Sequence, residues 1–271
     1  MLRLRLPTSW GELLVAGGSR AGEASLLLLP QLRLALDAGR PARALVPLST
    51  VAISHGHLDH LLGVPAWASQ RQLQGIPGGR LLVPAGLVAR IEDLLATCAR
   101  LEGGKPYGVT ASALSPGDRV TLRNDLALRF FATSHWVETL GCCVEWTRKR
   151  LRPELAGAPP EELRRLREAG VEVTRQVRTD LLAYLADTGP EVFEREPWLA
   201  DAEVLIVECT FLRPADRDRA RQFGHLHLED LITLAPRLCN RHLVLTHLSR
   251  RHRLAAGERA IRDALADRLV P

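Results

Sequence analysis

Apolar residues in the first sixty positions fall in short runs separated by turn residues: GELLVA at 11–16, SLLLLP at 25–30, LRLALDAG at 32–39 and VAIS at 51–54. Their length and spacing predict strands of an antiparallel and mixed sheet rather than helices. After Asp59 the apolar positions line one helical face, and LLVP at 81–84 predicts a further strand. LVARIEDLLATCARLEGG at 87–104 has helical spacing with a Gly-Gly stop. Residues 118–131 predict a hairpin turning at Asn124-Asp125, followed by the loop TSHW and a strand over CCVEW at 142–146. Three later strands, LLAYLADTG at 181–189, EVLIVECTF at 203–211 and HLVLTHLS at 242–249, each finish in a reactive side chain. The tail from Glu258 to Val270 is helical by pattern.

Between CCVEW and LLAYLADTG lies a charged insert at about 148–178, where Pro160 followed by EELRRLREAG has the form of a helix with proline at its start and glycine at its end. Its basic run TRKRLR at 147–152 has the charge to follow a phosphate backbone, and interleaved acidic residues fit a solvated helix equally well. No repeat or linker divides the chain, so its 271 residues are expected to form a single domain spanning 1–271.

Composition narrows the class. A chain 46% hydrophobic and 25% charged is globular and not disordered. No apolar run approaches a membrane span, and the opening MLRLRLPTSW lacks the continuous apolar stretch of a secretory leader. The five cysteines, at 98, 142, 143, 209 and 239, form no CxxC pair, which points to a reducing, cytoplasmic setting. The net charge of +5 permits a nucleic-acid partner without requiring one. Aromatics at 4% argue against an extended stacking platform for single strands.

The nine histidines are not scattered. His55, His57, Asp59 and His60 sit within six residues directly after a buried-looking strand, and further strands end at His135, Asp187 and His247. Strand ends hold side chains with the precision a metal site needs, and imidazole with carboxylate suits zinc. Five histidines and two aspartates exceed the four ligands of one tetrahedral ion, so the count favours two ions, with His55 and His57 facing one while Asp59 and His60 reach the other. Such a pair binds both the attacking and the nonbridging oxygens of a phosphodiester.

HGHLDH at 55–60 resembles the HxHxDH motif of the metallo-β-lactamase superfamily, and within it the chain is similar to short-form ribonuclease Z, the tRNA 3′-processing endonuclease, of the plant and cyanobacterial type. The resemblance extends through ALDAGR at 35–40, FATSH at 131–135, ADT at 186–188, VECTF at 207–211, GHLHLEDLI at 224–232 and LTHLSRR at 245–251. It implies a four-layer αβ/βα sandwich with two zinc ions per chain, manganese serving in vitro. His55, His57 and His135 would hold one ion, Asp59, His60 and His247 the other, and Asp187 would bridge them. Asp59 would also orient or deprotonate the attacking water.

By the same resemblance His225 assists the departing ribose oxygen, and Glu208 orients a ligand or His225, with a buried arginine pair as its alternative. Asp37 supports the HxHxDH loop. Ser249, Arg251 and His227 are expected to contact substrate, with a structural role the alternative for His227 and a surface ion pair for Arg251; Trp136 is expected to pack or to stack on a base, and His242 and His252 to be ordinary histidines. The implied partners are precursor tRNA and a second copy in a homodimer, with no membrane. No long Gly/Pro-rich arm is present to anchor the tRNA. A zinc phosphodiesterase acting on a small molecule is the alternative activity.

Overall fold

The computed structural model describes residues 2–266. β1 (Leu2–Thr8), β2 (Gly11–Ala21), β3 (Ala24–Leu29) and β4 (Leu34–Leu36) pair antiparallel in chain order. From β4 through β5 (Thr50–Ala52), β6 (Arg80–Pro84) and β7 (Thr110–Leu114) the pairing becomes parallel. The crossovers that parallel pairing requires carry α1 (Leu58–Leu61), α2 (Val64–Leu73) and α3 (Val88–Leu101).

The second sheet begins with β8 (Arg119–Arg123), β9 (Leu126–Ala132) and β10 (Leu140–Leu151), antiparallel to one another. It continues through β11 (Thr174–Tyr184), antiparallel to β10, and then β12 (Val204–Glu208) and β13 (His242–Thr246), both parallel. α4 (Pro160–Glu168), α5 (Val192–Arg195), α6 (Arg217–Phe223), α7 (Leu228–Leu234) and α8 (Leu254–Leu265) complete the order, with β14 (Leu248–Ser249) returning to pair with β2.

SLLLLP is apolar on both strand faces because both are covered. Leu27 and Leu29 point between the sheets, where they meet Leu128, Phe130, Val144 and Ile206. Leu26 and Leu28 point outward beneath Trp67, Ile91 and Leu95 of α2 and α3. β12 divides in the same way: Val204 and Ile206 face the inter-sheet core, while Leu205 and Val207 pack under α5, α7 and α8. This alternation builds helix, sheet, sheet and helix as four layers, the expected αβ/βα sandwich.

Three local expectations change. HLVLTHLS is not one strand, because His247 takes a left-handed φ of 61°. The chain leaves the second sheet there and enters the first as β14. The charged insert is helical only over Pro160–Glu168; its flanks extend the β10–β11 ladder outward as far as Leu151 paired with Thr174. The tail helix begins earlier than expected, at Leu254, and its predicted last residues, 267–270, lie outside the described residues. β1 and β7 were not foreseen. In β1 the Leu-Arg alternation has a strand's period, but Leu2 stays exposed, and β7 is a run of small residues with little strand signature.

Candidate metal centre

Parallel strands bring their C-terminal ends to one edge, and the titratable side chains collect there. β5 runs through Ile53 and Ser54 into His55 and His57, and α1 then presents Asp59 and His60. His135 follows β9, Asp187 follows β11, Glu208 closes β12 and His247 follows β13. The packing is tight enough to require glycine at Gly39, where a Cβ would lie 1.7 Å from the Asp59 carbonyl oxygen.

His55, His57, His135 and Asp187 form one group of converging donor atoms, and Asp59, His60 and His247 form another. Asp187 divides itself between them. Its Oδ2 lies 3.6 Å from His55 Nε2 and 3.9 Å from His135 Nε2, while its Oδ1 lies 3.5 Å from His60 Nε2 and 3.4 Å from His247 Nε2. Asp59 Oδ2 stands 3.8 Å from His60 Nε2 and 3.6 Å from His247 Nε2.

The donor set fits divalent ions. Two ligands at roughly 2.0–2.1 Å on a tetrahedral ion are roughly 3.3–3.4 Å apart, close to most of these separations. His135 Nε2 and Asp187 Oδ1 are buried without a hydrogen-bond partner, a costly arrangement unless a cation meets them. The far nitrogens of His55, His60, His135 and His247 are engaged, which fixes those rings as ligand imidazoles require. His60 Nδ1–H donates to Asp37 Oδ2 at 2.7 Å and His135 Nδ1–H to the Gly224 carbonyl at 3.0 Å. His55 Nδ1 is 2.9 Å from Ser54 Oγ and His247 Nδ1 3.0 Å from Thr210 Oγ1, whose own hydroxyl donates to Glu208. Asp37 is fully buried and also accepts from the Ser54 N–H (2.7 Å), the Ser54 hydroxyl (2.9 Å) and the Tyr184 hydroxyl (2.6 Å).

Charge and burial compete throughout. Burial holds His55, His57 and His135 below the ordinary imidazole value, in the neutral form a metal ligand needs. Burial opposes charge on His60 as well, but Asp187 and Asp37 outweigh it and lift the ring to about 9. Burial likewise works against the carboxylates; the surrounding histidines outweigh it, holding Asp59 and Asp187 well below the usual range.

Beside the two groups, His225 Nδ1 is 2.7 Å from Glu208 Oε1, which also accepts the Thr188 N–H at 2.8 Å. Glu208 therefore orients His225, and no arginine pairs with it among the described residues. Burial again opposes the charge on His225, but Glu208 prevails and raises the ring to about 9. A cleft of about 300 Å³ opens here, and His57, Trp136, Arg219, His225, Ser249 and Arg251 are among its walls.

The other expected residues divide. Ser249 and Arg251 reach the cleft; His227 does not. His227 is 1% exposed and caps α7, its Nδ1 accepting from the Glu229 N–H (3.2 Å) while its Nε2–H donates to the Arg213 carbonyl (3.0 Å). Trp136 does not pack: it is 63% exposed at the cleft rim. His242 and His252 are buried and bonded to backbone, His242 to the Pro7 carbonyl and His252 to the Leu212 N–H. Thr210 and Arg219 were not foreseen. Thr210 follows Glu208 by two residues in a strand-like run, a signal that both could face one side, whereas Arg219 lies on a short helix with no apolar stripe to orient it.

The β-lactamase superfamily domain model matches residues 21–248. The protein named tRNase Z TRZ1 of Arabidopsis thaliana is 29% identical over 91% of this chain and 89% of its own length. The nuclear ribonuclease Z of Triticum aestivum is 31% identical over 60% of this chain and 92% of its own. The crystal structure of human tRNase Z, short form, superposes with a TM-score of 0.58 at 19% identity, covering 86% of this chain and 91% of that one.

Proposed function

Because the chain belongs to the β-lactamase superfamily and, within it, to the ribonuclease Z group of metal-dependent hydrolases, we propose that it is a dinuclear zinc endoribonuclease that removes the 3′ trailer of precursor tRNA. The observation that carries this reading is the Asp187 carboxylate, which turns one oxygen to each group of histidines while His225 waits beside them on the cleft. His55, His57 and His135 would hold one ion, Asp59, His60 and His247 the other, and Asp187 would join both. Divalent ions held there supply Lewis acidity, making water nucleophilic at neutral pH and drawing charge from the phosphate oxygens.

The chain's own residues do the rest. Asp59 turns Oδ2 toward His60, His247 and the Gly22 N–H, leaving Oδ1 to orient the attacking water. His225, with Nδ1 committed to Glu208, keeps Nε2 for the cleft, where it donates a proton to the departing ribose 3′ oxygen. Arg251, on the cleft wall, offers a guanidinium to a phosphate. The outward β10–β11 extension and α4, which buries none of its side chains, carry nine basic residues between 148 and 178 that follow the tRNA backbone away from the cut.

The five cysteines are free thiols, which supports the reducing, cytoplasmic setting as part of this proposal, and no helix among the described residues is long and apolar enough to cross a membrane. The homodimer belongs to the same proposal on the strength of the family alone. The test is cleavage of an unmodified precursor tRNA with a short trailer by zinc- or manganese-loaded protein, beside His60→Ala and a small chromogenic phosphodiester. Single-site cleavage leaving a 3′ hydroxyl on the tRNA, lost in the variant, is expected. Hydrolysis of the small diester alone would refute the tRNA reading and leave the metal centre standing.

A further inference from the structure

Four of the five tryptophans have packing duties. Trp67 is buried with its N–H on the Leu48 carbonyl; Trp10, Trp146 and Trp198 lie against core clusters under Arg123, Arg148 and Arg129. Trp136 has no such cover. It is 63% exposed, and among the described residues no arginine lies over it. Its ring neighbours are two residues of the metal centre, His57 at 5.2 Å and His135 at 6.1 Å between centroids.

The loop that carries it is fixed on several sides. The Thr133 hydroxyl donates to the Asp187 carbonyl (2.9 Å), the Ser134 N–H to Thr188 Oγ1 (3.0 Å) and Arg195 to the Ser134 hydroxyl (2.8 Å). The Ser134 carbonyl accepts the Gly189 N–H at 2.7 Å, and Glu138 accepts the Gly86 N–H at 3.2 Å. A rigid loop thus holds a large apolar ring in solvent at a cleft whose lining also includes Arg219 and Arg251. A single aromatic ring fixed at a cleft rim beside arginines has the form of a base-stacking platform.

We infer that Trp136 is a specificity-determining residue: its ring stacks on an unpaired nucleobase next to the scissile phosphate. Arg219 and Arg251, in the same cleft, meet the flanking phosphates, so a single nucleotide is gripped by its base and by its charge. The inference rests on the RNA-cleaving reading of the centre. A lone platform also accords with a chain too poor in aromatics to stack a long single strand. Stacking tolerates every base but favours the larger purine face, so the consequence is a graded preference rather than a strict code.

The test is steady-state cleavage of precursor tRNAs that differ only in the nucleotide on either side of the cut, including an abasic residue at each position, by the wild-type protein, Trp136→Phe and Trp136→Leu. Base–aromatic stacking is worth about 1–3 kcal/mol, so Trp136→Leu should raise KM roughly 5- to 150-fold with little change in kcat. Trp136→Phe should recover part of that loss. The purine preference should vanish in Trp136→Leu, and an abasic residue at one of the two positions should cost the wild type much and the leucine variant little. Equal abasic penalties in both proteins, or an unchanged KM, would overturn the inference while leaving the nuclease reading intact. If the wild type cuts no precursor at all, that reading falls, and stacking is judged from direct binding of a dinucleotide and its abasic analogue. A leucine variant that binds the two alike, where the wild type separates them, supports it; a wild type that does not separate them refutes it.

Discussion

Asp37→Asn isolates the support behind the metal ligands. In the native protein Oδ2 accepts three hydrogen bonds, from His60 Nδ1, Tyr184 and the Ser54 hydroxyl, while Oδ1 accepts the Ser54 N–H. Asparagine matches the shape and tolerates the left-handed φ of 57° at this position, so backbone strain stays the same. Its amide has one acceptor end only. With the amide oxygen at the Oδ2 site, the NH2 group confronts the Ser54 N–H. With the NH2 group there instead, the proton on His60 Nδ1 must move to Nε2, the nitrogen that faces Asp187 and His247. The first arrangement costs one buried donor, about 1–3 kcal/mol, and weakens the bonds that formerly met a charged acceptor, so a total of about 2–4 kcal/mol is expected. Loss of a ligand-orienting partner should also weaken metal binding roughly 10- to 100-fold. Urea unfolding in excess chelator measures the first effect, and competition with a chromogenic chelator measures the second. An Asp37→Asn protein with native metal affinity and native unfolding midpoint would refute the reasoning.

Three further outcomes follow from the same structure. Arg71 is 2% exposed, its guanidinium donating to the carbonyls of Val46, Leu48, Pro77 and Gly78, so Arg71→Met should lose about 2–4 kcal/mol in urea unfolding while cleavage per folded molecule is unchanged. Burial first, and Arg213 second, hold His252 below the ordinary imidazole value. The unfolded chain therefore takes that proton before the folded one, His252's contribution is complete above about pH 6.5 and is lost with acid below it, and His252→Gln should make the fall of the urea midpoint from about pH 7.5 to 5.5 shallower than in the wild type. Zinc or manganese at a hundredfold excess over Kd should stabilise the protein by about 2.7 kcal/mol, read as a rise in Tm that chelator reverses and that His60→Ala largely abolishes.

The site was more legible than the fold that assembles it. HGHLDH after a buried strand is a local pattern, and the ends of β9, β11 and β13 could each be found within a few residues of His135, Asp187 and His247. That all of them share one edge depends on strand order, which no local window contains. The same limit left Trp136 undecided between packing and stacking, since its exposure depends on what does not lie over it, and hid Arg219, since α6 is too short and polar for its apolar spacing to set a face. His227 took the structural one of its two readings. Its place in the HLH segment matched a functional pattern, but the residue two positions before the α7 acidic turn also sits where a helix cap is needed, and the cap won.

Among the described residues four non-glycine residues have a positive φ, and three of them belong to the centre: Asp37 at 57°, Ala186 at 52° and His247 at 61°. Each ordinarily costs about 1–2 kcal/mol, most securely for Ala186, whose side chain has no polar group to compensate. Their placement explains what the strain accomplishes. At Asp37 the turn aims a buried carboxylate back at His60; at Ala186 it delivers Asp187 off the end of β11 between the two histidine groups. At His247 it does two things at once, setting Nε2 against Asp187 and sending the chain from the second sheet into the first as β14. The residue that would bind an ion is therefore also the joint between the sheets. Ion binding and sheet closure draw on the same backbone conformation, so chelator is expected to speed amide hydrogen exchange in the β14–β2 contact before the core, and equal exchange there with and without chelator would refute the coupling.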